Sequence, residues 1–113
     1  MHNIILIGFS TTGKSEVAKE VAKRLGWSVV DTDYEVVKLS GKSIPEIFAQ
    51  DGEERFRELE HQVLERACQR EGVVIASGGG AILDTDNRNL MSESGVVVCL
   101  EAQPDTIYQR LLR

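Results

Sequence analysis

The chain has 113 residues, of which 42% are hydrophobic, and carries a formal net charge of −5. That length suits one domain with an ordinary core, expected to span residues 1–113. The negative charge argues against a polyanion-binding face, and so against nucleic acid as a partner. No apolar run reaches membrane-spanning length, which argues against a membrane partner. Ile4–Ile7 is too short for a signal h-region. The cysteines, Cys68 and Cys99, lie in apolar stretches where a free thiol acts as a small hydrophobe. A reduced, soluble, cytoplasmic protein is expected.

Asn3–Ile7 is a compact β-branched run ending at Gly8 and predicts a buried strand. Ser15 to Leu25 predicts a helix, closed by Gly26. Trp27–Asp31 reads as a second strand with an acidic end. Ser43 and Glu46 form a capping-box pair for a short helix through about Gln50, broken at Asp51-Gly52. From Glu53 to Glu71, the apolar stripe Phe56, Leu59, Val63, Ala67, widened by Leu64 and Cys68, predicts a long helix that Gly72 ends. Val73–Ala76 is a third strand, followed by the triple glycine Gly78-Gly79-Gly80. A polar helix over Thr85 to Glu93 and a fourth strand over Val96–Leu100 follow, and Pro104 suits the first turn of a last helix. Strands alternating with helices imply βαβ units, a parallel sheet and right-handed crossovers. Ligands of such sheets sit beyond the carboxyl ends of the strands. Those ends carry Gly8, Asp31, Asp33 and Gly78–Gly80.

Gly8-Phe9-Ser10-Thr11-Thr12-Gly13-Lys14-Ser15 matches the phosphate-loop pattern G-x-x-x-x-G-K-[ST] at every position. A loop bent between strand and helix aims backbone N–H groups at phosphate oxygens, and the helix N-terminus adds positive potential. Lys14 would then reach the β- and γ-phosphates and Ser15 would ligate Mg²⁺. In Asp31-Thr32-Asp33, one carboxylate could orient the metal and another accept a hydrogen bond from an attacking hydroxyl. The same tripeptide would equally cap a helix beginning near Tyr34. Arg57 presents a planar fork suited to a carboxylate or phosphate, with Glu60 placed to hold it. It could also be a solvated ion-pair partner of Glu60. The triple glycine favours the first reading, because it permits close backbone approach to a ligand.

In this order, Gly13-Lys14-Ser15, Leu25-Gly26, Asp31-Thr32-Asp33, Gly41 with Ser43, Ile47-Phe48, Gly52, Phe56-Arg57, Glu60 and Gly78-Gly79-Gly80 resemble the shikimate kinases, a family of nucleoside-monophosphate-kinase type. The resemblance implies a three-layer α/β/α fold with a parallel sheet. It also implies Mg²⁺-dependent transfer of the γ-phosphoryl group of ATP to the 3-hydroxyl of shikimate, an activity of aromatic amino acid biosynthesis. By position, Thr11, Thr12, Gly13, Lys14, Ser15 and Glu16 would surround the phosphates of ATP or ADP, and Arg110 would lie near adenine. Ser15 and Asp31 would serve the metal, with Lys14 and Asp33 as the catalytic pair. Asp33, Arg57, Gly78, Gly79 and Gly80 would bind shikimate. Thr11 stands where the family usually has glycine, and Glu16 where it usually has threonine; a carboxylate there is expected to weaken ATP binding. The family's lid, fifth strand and closing helix would follow Arg113. Their absence is expected to limit turnover and to favour self-association or a companion segment. Two other readings compete: a different small-molecule kinase, such as one acting on gluconate, and a nucleotide-binding domain without activity.

Overall fold

A computed structural model describes residues 3–8, 13–78 and 80–100. The elements run β1 (Asn3–Gly8), α1 (Lys14–Leu25), β2 (Ser28–Asp31), α2 (Thr32–Ser40), α3 (Ile44–Gln50), α4 (Gly52–Cys68), β3 (Val73–Ala76), a 3₁₀ turn (Ala81–Leu83), α5 (Thr85–Ser94) and β4 (Gly95–Leu100). The strands form one parallel sheet in the order β2-β3-β1-β4. β1 and β3 are therefore central, and each is an almost unbroken β-branched and aliphatic run, as strands covered on both faces require. Ile5 and Leu6 of β1 and Val74 and Ile75 of β3 are completely buried.

Two apolar layers flank the sheet. On one face Val17, Ala18 and Ala22 of α1 pack on Leu6, Val74, Ala76 and Leu100. On the other, Leu64, Ala67 and Cys68 of α4 and Met91 of α5 pack on Ile5, Ile7, Val30, Val73 and Ile75. Burying each large aliphatic side chain contributes roughly 1.5–3 kcal/mol. A smaller cluster, Val36, Ile47, Phe56, Leu59 and Val63, holds α2 and α3 against the first half of α4. The helix α4 thus serves two cores. No helix among the described residues is long and apolar enough to cross a membrane.

The expected strands appear within a residue or two of their predicted bounds, and the capping box Ser43/Glu46 starts α3 as read. Three differences have physical causes. The capping alternative for Asp31 is realised: its side chain accepts from the amides of Asp33 and Tyr34, and the nine-residue α2 follows directly. The long helix stops at Cys68, not Glu71, because Gln69 caps it and the amide of Arg70 bonds to the Ala67 carbonyl. Finally, Cys99 is exposed, unlike buried Cys68, since β4 is an edge strand among the described residues and also exposes Val96 and Val97. The last predicted helix lies outside the described residues.

Asn3 ties the amino end of the sheet together. Its amide donates to the Arg70 carbonyl at 2.7 Å and the Ser94 hydroxyl at 2.7 Å, while its oxygen accepts from Val73 N at 3.1 Å. One buried side chain so joins β1, the start of β3 and the end of α5. Asn3→Ala would leave buried backbone groups unmatched, and the expected loss is about 2–4 kcal/mol of unfolding free energy, since each abandoned buried group costs about 1–3 kcal/mol. Urea unfolding of both proteins measures it; a loss under about 0.5 kcal/mol, the scale of an ordinary surface substitution, would contradict the assignment.

Candidate active site

In this strand order the chain turns opposite ways on either side of the β1/β3 seam, and the seam's carboxyl end is where ligands of such sheets bind. The candidate site stands there. Gly13 is the N-cap of α1 in a left-handed conformation (φ 79°), with no side chain capping the helix. Such a conformation costs other residues about 1–2 kcal/mol and glycine little. The following Lys14 is buried, and its Nζ donates to the carbonyls of Gly8, ending β1, and of Ser77, just past β3, the latter at 2.8 Å. Burial pushes the Lys14 ammonium below its usual range, partly opposed by Asp33, Asp31 and Glu60.

Ser15 lies one residue on, and its Oγ is 3.3 Å from Asp31 Oδ2. The other oxygen of Asp31 accepts from Asp33 N at 3.0 Å and Tyr34 N at 3.2 Å. Asp31 therefore caps α2 with one oxygen and turns the other toward Ser15, so the capping reading is realised without using both oxygens. A hydroxyl and a carboxylate side by side form a hard oxygen pair of the kind Mg²⁺ takes alongside waters and phosphates. Lys14, Ser15, Asp31, Asp33, Ala76 and Ser77 line a cavity of about 60 Å³. A water's share of liquid volume is about 30 Å³, so the cavity admits the tip of a ligand and not its body.

Asp33 and Glu60 flank the Gly78 backbone. A Cβ at Gly78 would lie 3.0 Å from Asp33 Oδ1 and 3.1 Å from Glu60 Oε2, so a side chain there would crowd both. Burial raises the Asp33 carboxyl above its usual range, with Asp31 adding to the rise and Lys14 and Arg57 opposing it. Burial likewise raises Glu60, which is 1% exposed, against the hydrogen bond and charge of Arg57. Arg57 Nη1 bonds Glu60 Oε1 at 3.0 Å, Nη2 is 3.6 Å from the exposed Glu53, and the guanidinium lies over the Phe56 ring at 5.3 Å. A Cβ at Gly80 would sit 2.5 Å from both terminal nitrogens of Arg57. The glycine turn thus approaches the guanidinium itself, and the Arg57–Glu60 ion pair is built into the site, not solvated away from it.

Of the residues expected from sequence, Lys14, Ser15, Asp31, Asp33, Arg57, Gly78 and Gly80 come together at this edge, with Gly13 at the start of α1. Glu16 is exposed in the first turn of α1. Thr11, Thr12, Gly79 and Arg110 lie outside the described residues. Sequence reasoning passed over Thr32. Its buried hydroxyl donates to the Ala76 carbonyl at 3.3 Å and accepts from Gly78 N at 3.1 Å, fixing the glycine turn to α2. A small hydroxyl residue between two aspartates at a strand end is the signal that could have found it.

Gly13 and Lys14 at the end of a parallel seam, with the Ser15/Asp31 pair beside them, define an α/β domain of the P-loop kinase class. Similarity to known proteins narrows the class. The sequence model for shikimate kinase matches residues 10–113. Shikimate kinase from Pelotomaculum thermopropionicum is 42% identical over 111 residues, 98% of this chain and 64% of its own length. That from Salinibacter ruber is 45% identical over 108 residues, 96% of this chain and 53% of its own. The solved structure of Acinetobacter baumannii shikimate kinase in complex with shikimate superposes with a TM-score of 0.88 at 37% identity, covering 100% of this chain and 63% of that one. A gluconokinase from Sinorhizobium meliloti, at 21% identity and a TM-score of 0.54, shares the fold alone. The chain belongs to the shikimate kinase family and spans less than two thirds of the length of these relatives.

The raised carboxyls yield a pH prediction. Asp33 holds its proton more tightly in the folded chain than in the unfolded one, where 3.8 is ordinary. Protonation therefore favours folding, and this contribution is lost as pH rises from 3.8 through the raised value. Asp33→Asn removes the charge, so the variant should be the more stable protein at pH 7 and show a flatter decline of stability with pH. Thermal melts of both proteins between about pH 4 and 8 test this; a variant less stable at pH 7 with an unchanged slope would refute it.

Proposed function

We propose that this chain binds Mg²⁺-ATP and shikimate and carries the residues that transfer the γ-phosphoryl group to the 3-hydroxyl of shikimate. The observation that carries the reading is the placement of Arg57. Its fork is held by buried Glu60, backed by Phe56, and pressed against Gly80 on the same edge as Asp33 and Lys14. A planar fork beside a glycine turn and a carboxyl base suits a small hydroxylated carboxylate. The family's name, and the shikimate bound by the Acinetobacter relative, support the same substrate.

In the proposed reaction the acceptor oxygen attacks the γ-phosphorus, and the bond from that phosphorus to the β–γ bridging oxygen breaks. ADP leaves, and the hydroxyl proton passes to an Asp33 oxygen. A raised carboxyl pKa makes Asp33 the stronger acceptor, and it must be ionised to act. Lys14 would exchange its contacts with the Gly8 and Ser77 carbonyls for phosphate oxygens, gaining the countercharge its buried position lacks. Ser15 and Asp31 would hold Mg²⁺, which neutralises charge on the phosphates when bound. Thr11, Thr12, Gly13 and the α1 N-terminus would cradle the phosphates, with Glu16 weakening the field and Arg110 near adenine. The Nη2 side of Arg57 would take the shikimate carboxylate in place of exposed Glu53, while Gly78–Gly80 contact the ring hydroxyls.

Arg57→Lys separates this acceptor from others. It keeps the charge but loses the fork, so shikimate binding should weaken by about 1–3 kcal/mol, the cost of a charged hydrogen bond left unmade. ATP affinity should hold, because the phosphate loop is a separate contact set. Calorimetric titration of the variant with each ligand gives both numbers. An unchanged shikimate affinity, or an equal fall for ATP, would reduce Arg57 to a helical ion-pair partner.

A further inference from the structure

A second cavity, of about 440 Å³, opens between α2 and α4 where they pass the β2 edge of the sheet. It shares no lining residue with the phosphate-loop cavity. Val30, Val63 and Ala67 form a buried apolar floor, and Leu39, 42% exposed, forms part of the wall. Lys38, Arg66 and Arg70 also line it, with Glu35 as the single carboxylate.

Charge makes this cleft unusual for the molecule. The chain as a whole is acidic, at −5, yet three cations face one carboxylate here. Elsewhere Arg24 pairs with Glu20, Lys42 with Asp51, Arg55 with Glu58 and Arg57 with Glu60, while Lys14, Lys19, Lys23 and Arg88 form no ion pair among the described residues; what sets the cleft apart is three such cations lining one cavity. Among the described residues, Lys38, Arg66 and Arg70 form no ion pair, and neither does Glu35. Arg66 and Arg70, at the end of α4, also suit the negative pole of that helix. That pole does not account for Lys38, which arrives from α2. Nor does it account for a cavity of this size, which falls within the roughly 300–1,000 Å³ typical of small-molecule sites.

We infer that the α2/α4 cleft is a second ligand site, separate from the nucleotide and acceptor pockets, for a small organic anion with an apolar body. The body would rest on Val30, Val63 and Ala67, and its phosphate or carboxylate would meet Lys38, Arg66 and Arg70. Glu35 would accept a hydrogen bond from a ligand hydroxyl. The inference does not depend on the acceptor proposed above. The same two helices reach both sites: α2 starts at the Asp31 cap, and α4 carries Arg57 and Glu60 one to three turns before Val63 and Arg66. An occupant would therefore touch the helices that position the proposed acceptor site.

Phenyl phosphate, inorganic phosphate, phenol and a hexaglutamate peptide are the probes, each titrated into ¹⁵N-labelled protein. Phenyl phosphate should shift the amides of Leu39, Val63 and Arg66 saturably, with inorganic phosphate and phenol each binding there about tenfold more weakly or worse. Lys38→Glu and Arg66→Glu should each weaken phenyl phosphate at the cleft by a similar factor. Both residues are exposed, so the variants should keep the wild-type spectrum elsewhere, and Lys38→Gln provides a milder check. Shifts confined to Lys14, Ser15 and Gly78, or equal affinity in all three variants, would overturn the site. Phenol binding as tightly as phenyl phosphate would overturn its anion selectivity. Hexaglutamate occupying the cleft more tightly than phenyl phosphate would replace the small molecule with an acidic protein segment.

Discussion

Lys14 spans the seam between the two central strands, and the candidate site depends on that position. Its ammonium is held by the last carbonyl of β1 and by the first beyond β3. Parallel pairing puts these carbonyls side by side: Leu6 faces Ala76, and the amide of Ser77 bonds to the carbonyl of Leu6. Without that register the lysine would find one carbonyl and open solvent. With it, the charge is fixed at the mouth of the sheet, where burial weakens the ammonium form and an arriving phosphate would restore it. The cation is thereby held at the seam, and a binding nucleotide would require only the exchange of its carbonyl contacts for phosphate oxygens.

The helix α4 imposes a second constraint. Its apolar side fills two separate cores, through Leu64 and Ala67 against the sheet and through Phe56, Leu59 and Val63 against α2 and α3. A helix pinned on both sides cannot rotate without opening one of them. Arg57 and Glu60 ride on this element. Glu60, buried beside the Gly78 backbone, fixes the guanidinium in one orientation, and Gly80 leaves room for it to stay there. An exposed ion pair contributes little to stability. With one partner 1% exposed, this pair instead sets direction.

Sequence alone disclosed most of this architecture. The phosphate loop, the four strands and the long amphipathic helix follow from glycine spacing, β-branched runs and period-3.6 patterning, all local signals. What remained hidden is non-local. Asp31 offered two roles on paper, and only the fold shows one oxygen capping α2 while the other faces Ser15. Thr32 stood out only as a small hydroxyl residue between two aspartates, and its partner Gly78 could not be named because it lies 46 residues away. The triple glycine suggested room for a ligand; the neighbour it admits is the guanidinium of Arg57. Cys99 lies in an apolar stretch of the sequence, yet is exposed because edge strands are covered on fewer sides.

The charges at the site are also arranged for something other than stability. Asp31, Asp33 and Glu60 gather around Lys14 and Arg57, and three of the five groups, Lys14, Asp33 and Glu60, are pushed toward their neutral forms by burial. A sequence selected only to fold would place apolar residues of similar volume there, since buried ion pairs often stabilise less than packed side chains do. Every buried side-chain nitrogen and oxygen among the described residues nevertheless has a hydrogen-bond partner, so the site is solvated by the protein and not left incomplete. Acids and bases held in water-poor surroundings at the mouth of a parallel seam interact strongly with any charge brought among them. A phosphate and a metal ion are such charges. In the proposed reaction the stability forgone by burying these groups would be recovered as differential binding of the reacting atoms, the quantity on which catalysis depends.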